Sequence, residues 1–276
     1  MKETHPELKR LCIHSITTKP WRISEAVSEY ARAGVGGITV WRDAFSELSP
    51  AELRRYATDA GLSVVSLCRG GFFAAAETAR RRRAIEDNLR AIDEAAALGA
   101  PHIVMVCGAD PEIPLSESRM HIVEGFQAIS DHAAKSGVKL AVEPLHPMYA
   151  DTRSAINTLG QANDMCDIIN EPHIGVAVDV YHLWWDPELE SEIARTAQAD
   201  RLFAFHVCDW RSPTRDMLND RGLPGDGCIR IPTIREWVER TGFNGFIEVE
   251  VFSTEYWSMD QHEFLERIVA SYNEHV

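Results

Sequence analysis

Apolar residues along this chain fall into two alternating rhythms. Short, largely unbroken apolar runs recur: LCIHSI (11–16), GITVW (37–41), SVVSLC (63–68), HIVMVC (102–107), KLAVEP (139–144), GVAVDV (175–180), LFAFHVC (202–208) and GFIEVEVF (245–252). Unbroken apolar runs of this length are expected of parallel strands covered on both faces. Between them lie longer segments whose apolar residues recur at the spacing of one helix face. These span 24–34, 49–61, 81–99, 116–137, 154–170, 188–198, 231–242 and 260–275. Ser49-Pro50 opens one of them and Gly61 closes it, a favourable start and stop.

Eight strand–helix units in 276 residues predict a (β/α)₈ TIM barrel, a single domain over 1–276. The competing doubly wound sheet usually has fewer strands and a glycine-rich first turn. No GxGxxG follows the first run here.

Composition narrows the function. The chain carries a formal charge of -14, which argues against a nucleic-acid partner, because phosphate contacts need clustered Lys and Arg. No stretch approaches the ~20 apolar residues of a membrane span. The polar start MKETHPELKR has no apolar signal segment. A cytoplasmic protein without a membrane partner is expected. The six cysteines are scattered, with no CxxC pair for a zinc ribbon. Cys12, Cys68, Cys107 and Cys208 fall in strand runs, where a free thiol behaves as a small buried hydrophobe.

In such a barrel the chemistry sits at the C-terminal ends of the strands. The fifth run ends on Glu143 and the sixth on Asp179, followed by His182. The seventh carries His206, and the eighth carries Glu248 and Glu250, which share a face. A buried carboxylate is costly unless it is paired or bound to a metal. Three close together raise one another's pKa, and a divalent cation removes the conflict. Three carboxylates and an imidazole form a hard set that suits Mn²⁺ or Mg²⁺, with Co²⁺, Fe²⁺ or Zn²⁺ able to substitute.

The segments AVEPLH, VAVDVYH, FAFHVCD and GFIEVEVFS, in that order, resemble the metal-bearing strands of the xylose-isomerase-like TIM-barrel superfamily. That superfamily contains sugar and sugar-phosphate isomerases and epimerases. The resemblance implies metal ligands at Glu143, Asp179, His206 and Glu250, with Glu248 deeper in the barrel and His182 binding substrate. It further implies one divalent ion, Mn²⁺ foremost, and a small carbohydrate substrate. The expected reaction is proton transfer next to a carbonyl through a metal-stabilised enediolate, with Glu143 and Glu250 as acid/base residues. Related enzymes are often dimers or tetramers, so a homo-oligomer is expected. The alternative is a metal-dependent lyase or dehydratase performing β-elimination on a keto-sugar, inosose or 3-keto-glycoside.

Secondary candidates surround this set. His146 follows Glu143 by three residues and is expected to line the pocket. Trp41 and Arg69, at the ends of the second and third runs, are expected to supply an aromatic wall and a hydroxyl partner. His14 reads as a core histidine, and Arg80 to Arg83 as a solvated helix face. The segment CDWRSPTRDMLNDRGLPGDGCIR (208–230) far exceeds the usual ~2–6 residues of a βα loop and reads as a lid or binding loop. In related epimerases a substrate-binding arginine lies six residues after the strand-seven histidine. Ser212 stands there in this chain, which leaves Arg211 and Arg215 as candidates. PGDGCI lacks the Lys and Ser/Thr of a phosphate loop, which favours an unphosphorylated sugar, keto-sugar, inosose or sugar acid.

Overall fold

The computed structural model describes residues 6–276. The polar start of the chain lies in part outside these residues, at 1–5. Eight parallel strands close into a barrel: β1 (Leu11–His14), β2 (Gly37–Trp41), β3 (Ser63–Gly71), β4 (His102–Val106), β5 (Lys139–Glu143), β6 (Ile174–Asp179), β7 (Leu202–Val207) and β10 (Ile247–Val249). The long connection after β7 folds back as an antiparallel ribbon of β8 (Asp209–Trp210) and β9 (Arg221–Gly222). The helices are α1 (Ile23–Ala33), α2 (Pro50–Asp59), α3 (Thr78–Leu98), α4 (Leu115–Ser136), α5 (Leu159–Ile169), α6 (Val180–Leu183), α7 (Leu189–Gln198), α8 (Ile231–Arg240), α9 (Thr254–Trp257) and α10 (Gln261–His275). Among the described residues, no helix is long and apolar enough to cross a membrane.

Each outer helix presents one apolar stripe to the barrel. On α10, Phe264, Leu265, Ile268 and Tyr272 are buried, and on α1 it is Ile23, Ala26, Val27 and Tyr30. Burying a Leu, Ile or Phe side chain contributes about 1.5–3 kcal/mol. A few such stripes therefore outweigh the propensity differences within each helix. Local signals set the ends: α2 starts with a capping box between Ser49 and Glu52 and has Pro50 at its first turn.

Among the predicted boundaries that move, three have an identifiable reason. The helix expected from 154 begins at Leu159, because Thr158 accepts from the Gln161 amide as its cap. The preceding residues are held instead by Asn157, whose side-chain amide donates to the Leu145 and Ser154 carbonyls. The last barrel strand ends at Val249, short of the run that continues to 252. Beyond it the Val251 amide donates to Thr17 Oγ1 rather than to a neighbouring strand. β3 runs on past 68 to Gly71, hugging β4.

Strand alternation sets what faces the barrel axis. Ala141, Ala177 and Ala204 pack with Cys68 and Val104 in one interior cluster. Two residues further along β5, β6 and β7 stand Glu143, Asp179 and His206. The register pairs Asp179 with His206 and His206 with Glu248, so the polar positions of adjacent strands come level.

Candidate metal centre

Glu143, Asp179, His206 and Glu250 are all buried, and one ligand atom from each lies within 4.8 Å of all the others. They come from β5, β6, β7 and the residue after β10, which are neighbours in the barrel. Asp179 is fixed from one side. Its Oδ1 accepts from the Tyr181 amide at 2.7 Å, which leaves Oδ2 facing the cluster without a hydrogen-bond donor. His206 directs Nδ1 at Glu143 Oε1, 3.0 Å away, and Nε2 towards Glu248 Oε1 at 3.7 Å. Buried carboxylate oxygens in such proximity fit a hard divalent cation, which would satisfy the undonated Asp179 oxygen.

Glu248 serves a different purpose. Its Oε2 accepts from Thr39 Oγ1 at 2.6 Å and Ser66 Oγ at 3.4 Å, and lies 3.1 Å from His14 Nε2. The other His14 nitrogen, Nδ1, lies 3.0 Å from Glu250 Oε1. His14 thus bridges two carboxylates. Burial depresses its pKa, but Glu250 and the bonds to Cys68, Glu248 and Glu250 overcome this and raise it well above the usual histidine value. Glu248 is pushed up by burial and pulled down more strongly by His206 and His14, to about 2. Two further clusters, His14–His206–Glu248 and His14–Cys68–Glu250, are compact enough for a metal. An imidazolium donating from both nitrogens has no lone pair for one. Cys68, raised by burial to about 12, stays a thiol.

Arg221 completes the electrostatics. It emerges from β9, and its amide donates to the Phe252 carbonyl, which swings the side chain under the ribbon into the barrel mouth. Nη1 donates to Glu250 Oε2 at 2.7 Å and lies 3.6 Å from Asp179 Oδ2, and Nη2 is 3.3 Å from His182 Nε2. Its flat face lies over the rings of Tyr181 and Phe252. Burial raises the Glu250 pKa, but His14 and Arg221 hold it well below the carboxylate range. For Asp179 burial wins over Arg221, and the pKa rises to about 7. Burial, with Arg221 beside it, keeps His182 neutral.

A cavity opens above these groups, lined by Glu143 and Glu250 among others. Of the expected substrate residues, Trp41, Arg69 and His182 line it. Three others do not. His146 is half-buried between the rings of Trp185 and Trp210, and its Nδ1 accepts from the Met148 amide, capping a short turn. Arg215 donates to Asp220 and Glu255, and Arg211 to Glu255 and Asp226, so acids of the loop and of α9 hold both guanidinium groups. Neither arginine is among the residues that line the cavity; both stitch the loop and α9 together.

The lining residues that the sequence reading did not single out include Tyr149 and Arg153 after β5 and Leu218 in the long loop; Arg221, one of that loop's arginines, also lines the cavity. Tyr149 Oη donates to the Met217 carbonyl, which ties the two loops together over the cavity. Asp209 anchors the base of the long loop, accepting from the amides of Gly225, Gly227 and Ile229.

The family model described as a xylose isomerase-like TIM barrel matches residues 27–268. The crystal structure of protein SMc04130 from Sinorhizobium meliloti 1021 is 43% identical, with a TM-score of 0.93 over 96% of this chain and 98% of that one. The structure of IOLI protein, with a bound zinc atom, is 20% identical, with a TM-score of 0.82 over 95% of this chain and 96% of that one. Among curated relatives, inosose isomerase from Halalkalibacterium halodurans is 28% identical over 178 residues, 62% of this chain. The match spans 60% of that relative's length. The probable ketose 3-epimerase of Synechocystis sp. is 26% identical over 254 residues, 88% of this chain and 83% of the relative.

Proposed function

The chain belongs to the xylose isomerase-like TIM barrel family, and from that premise we propose that it is a divalent-metal-dependent isomerase or epimerase of a sugar or polyol ketone. The observation that carries this reading is the convergence of Glu143, Asp179, His206 and Glu250 at one end of the barrel. Relatives named inosose isomerase and ketose 3-epimerase support the reaction class.

The four residues would hold the ion, and three carboxylates favour Mn²⁺ among the candidates. When bound, such a cation supplies polarisation of adjacent substrate oxygens and stabilises negative charge on them. The chain's own residues do the rest. Glu143, at the end of β5, and Glu250, just after β10, both line the cavity and would take and return a proton at the carbon beside the carbonyl. His14 and Arg221 keep Glu250 ionised. Neutral His182, oriented by Arg221 at 3.3 Å, presents its ring to a substrate hydroxyl. Glu248, facing His206 Nε2, turns the other ring nitrogen towards the centre. Trp41, Phe252 and Leu145 wall the cavity and exclude water.

The test is proton NMR in deuterated water with Mn²⁺-loaded protein and a panel of ketoses and inososes. Exchange of the carbon-bound proton next to the carbonyl, with formation of an isomer of equal mass, is expected. Loss of water or of a leaving group would instead mark elimination. No exchange across the panel would contradict the reading.

A further inference from the structure

Glu143, Asp179 and Glu250 crowd the barrel mouth, where Arg221 meets Glu250 and Asp179. Two more guanidinium groups stand on the cavity wall, Arg69 and Arg153.

Among the described residues, neither has a carboxylate at ion-pair distance, although acidic residues outnumber basic ones 42 to 28 in this chain. Arg69 is mostly buried, and its Nη1 has no hydrogen-bond partner. Its face is occupied, lying 4.5 Å from the Phe72 ring centre and 5.8 Å from that of Trp41. Stacking of that kind uses the π-face of the guanidinium and leaves the N–H edge free. Arg153 likewise lies over the Tyr149 ring at 5.7 Å. Burial, and then the charge of Arg153, lower the Arg69 pKa, so the two cations feel each other across the cavity. Two like-charged groups without an acidic partner on the wall of one cavity, each set against an aromatic ring, are unfavourable unless an anion joins them.

The backbone is built to present Arg69. The β3–β4 register slips between Cys68 and Gly70, so Arg69 is an extra residue on the strand, and Cys68 and Arg69 both reach the cavity. Gly70 and Gly71 let β3 continue close against β4. A Cβ on Gly71 would lie 1.9 Å from the Val106 carbonyl oxygen. Asn88 clamps Gly71 by bonding both its N–H and its C=O.

From this arrangement we infer that the substrate is anionic: a sugar or polyol ketone with a terminal acid group seated between Arg69 and Arg153, its carbonyl end at Glu143 and Glu250. This deepens the proposed function and rests on it for the reactive end, whereas the anion site stands on the arginines alone. A carboxylate and a phosphate share the required chemistry.

Calorimetry on the Mn²⁺-loaded protein with three unreactive polyols tests the inference: glucitol, gluconate and glucitol 6-phosphate. Hydrogen bonds to charged groups contribute about 1.5–3 kcal/mol, so an advantage of roughly tenfold to hundredfold over glucitol is expected for at least one anion. Which anion gains it tells carboxylate from phosphate. Arg69→Gln with Arg153→Gln should erase that advantage, and the paired Lys variants should restore part of it. Equal affinity for all three polyols overturns the inference. So does an anion advantage that survives in the double Gln variant, which would place the acid group on the metal instead. Anion binding through the arginines with no deuterium exchange in any keto-acid or ketose phosphate would sink the isomerase reading and leave the anion site standing. Exchange confined to neutral ketoses would do the opposite.

Discussion

Glu248 lies on β10 and Glu250 just beyond its end, two residues on, yet depth gives them different work. Glu248 is enclosed by Thr39, Ser66 and His14, while Glu250 lines the cavity and meets Arg221. Glu250→Gln removes both a ligand charge and an acid/base group, and should lower turnover by about a thousandfold or more. Glu248→Gln should leave bound metal near the wild-type ratio by elemental analysis, because its role is to orient His206. The reverse pattern of metal content would make Glu248 the ligand. At this scale the sequence showed the carboxylates well, since each closes a recognisable apolar run. It hid Arg153, and it did not set Arg221 apart from Arg211 and Arg215. All come from loops, and an arginine's partner there depends on the path of the whole chain. Arg211, Arg215 and Arg221 look alike in the string. Only the fold-back of β9 onto Phe252 carries Arg221 inward, while Asp220 and Glu255 retain Arg215 outside.

Elements were legible where periodicity and capping agree, as in α2 with its Ser49–Glu52 box. They were misread where side chains replace the backbone ladder, at Asn157 before α5 and at Thr17 beside Val251. The two four-residue helices, α6 and α9, are too short to show a period. The extension of β3 is the consequential case, because it carries Arg69 to the cavity. Gly71 has φ of 111° and no room for a methyl group against Val106. Gly71→Ala should therefore cost about 3 kcal/mol in urea denaturation, from strain and overlap together. Gly61 also has positive φ, but nothing lies within 4 Å of its would-be Cβ. Gly61→Ala should cost only about 1 kcal/mol. Equal losses would mean that the β3–β4 approach is looser than described.

The whole molecule explains why four separate stretches of sequence make one site. Counting strand–helix units was enough to predict the closed barrel, and closure sets β5, β6, β7 and β10 side by side. Strand parity then turns Glu143, Asp179, His206 and Glu250 towards one point, over an interior narrowed by Ala141, Ala177 and Ala204. A net charge of -14 repels anions at long range, so any acidic substrate depends on the local positive patch. The central claim is that these four side chains share one ion. Anomalous diffraction from crystals grown with Mn²⁺ tests it most directly. A single strong peak is predicted, about 2.0–2.4 Å from an oxygen of Glu143, Asp179 and Glu250 and from a nitrogen of His206. A peak among His14, His206 and Glu248, or none at the barrel mouth, would contradict it.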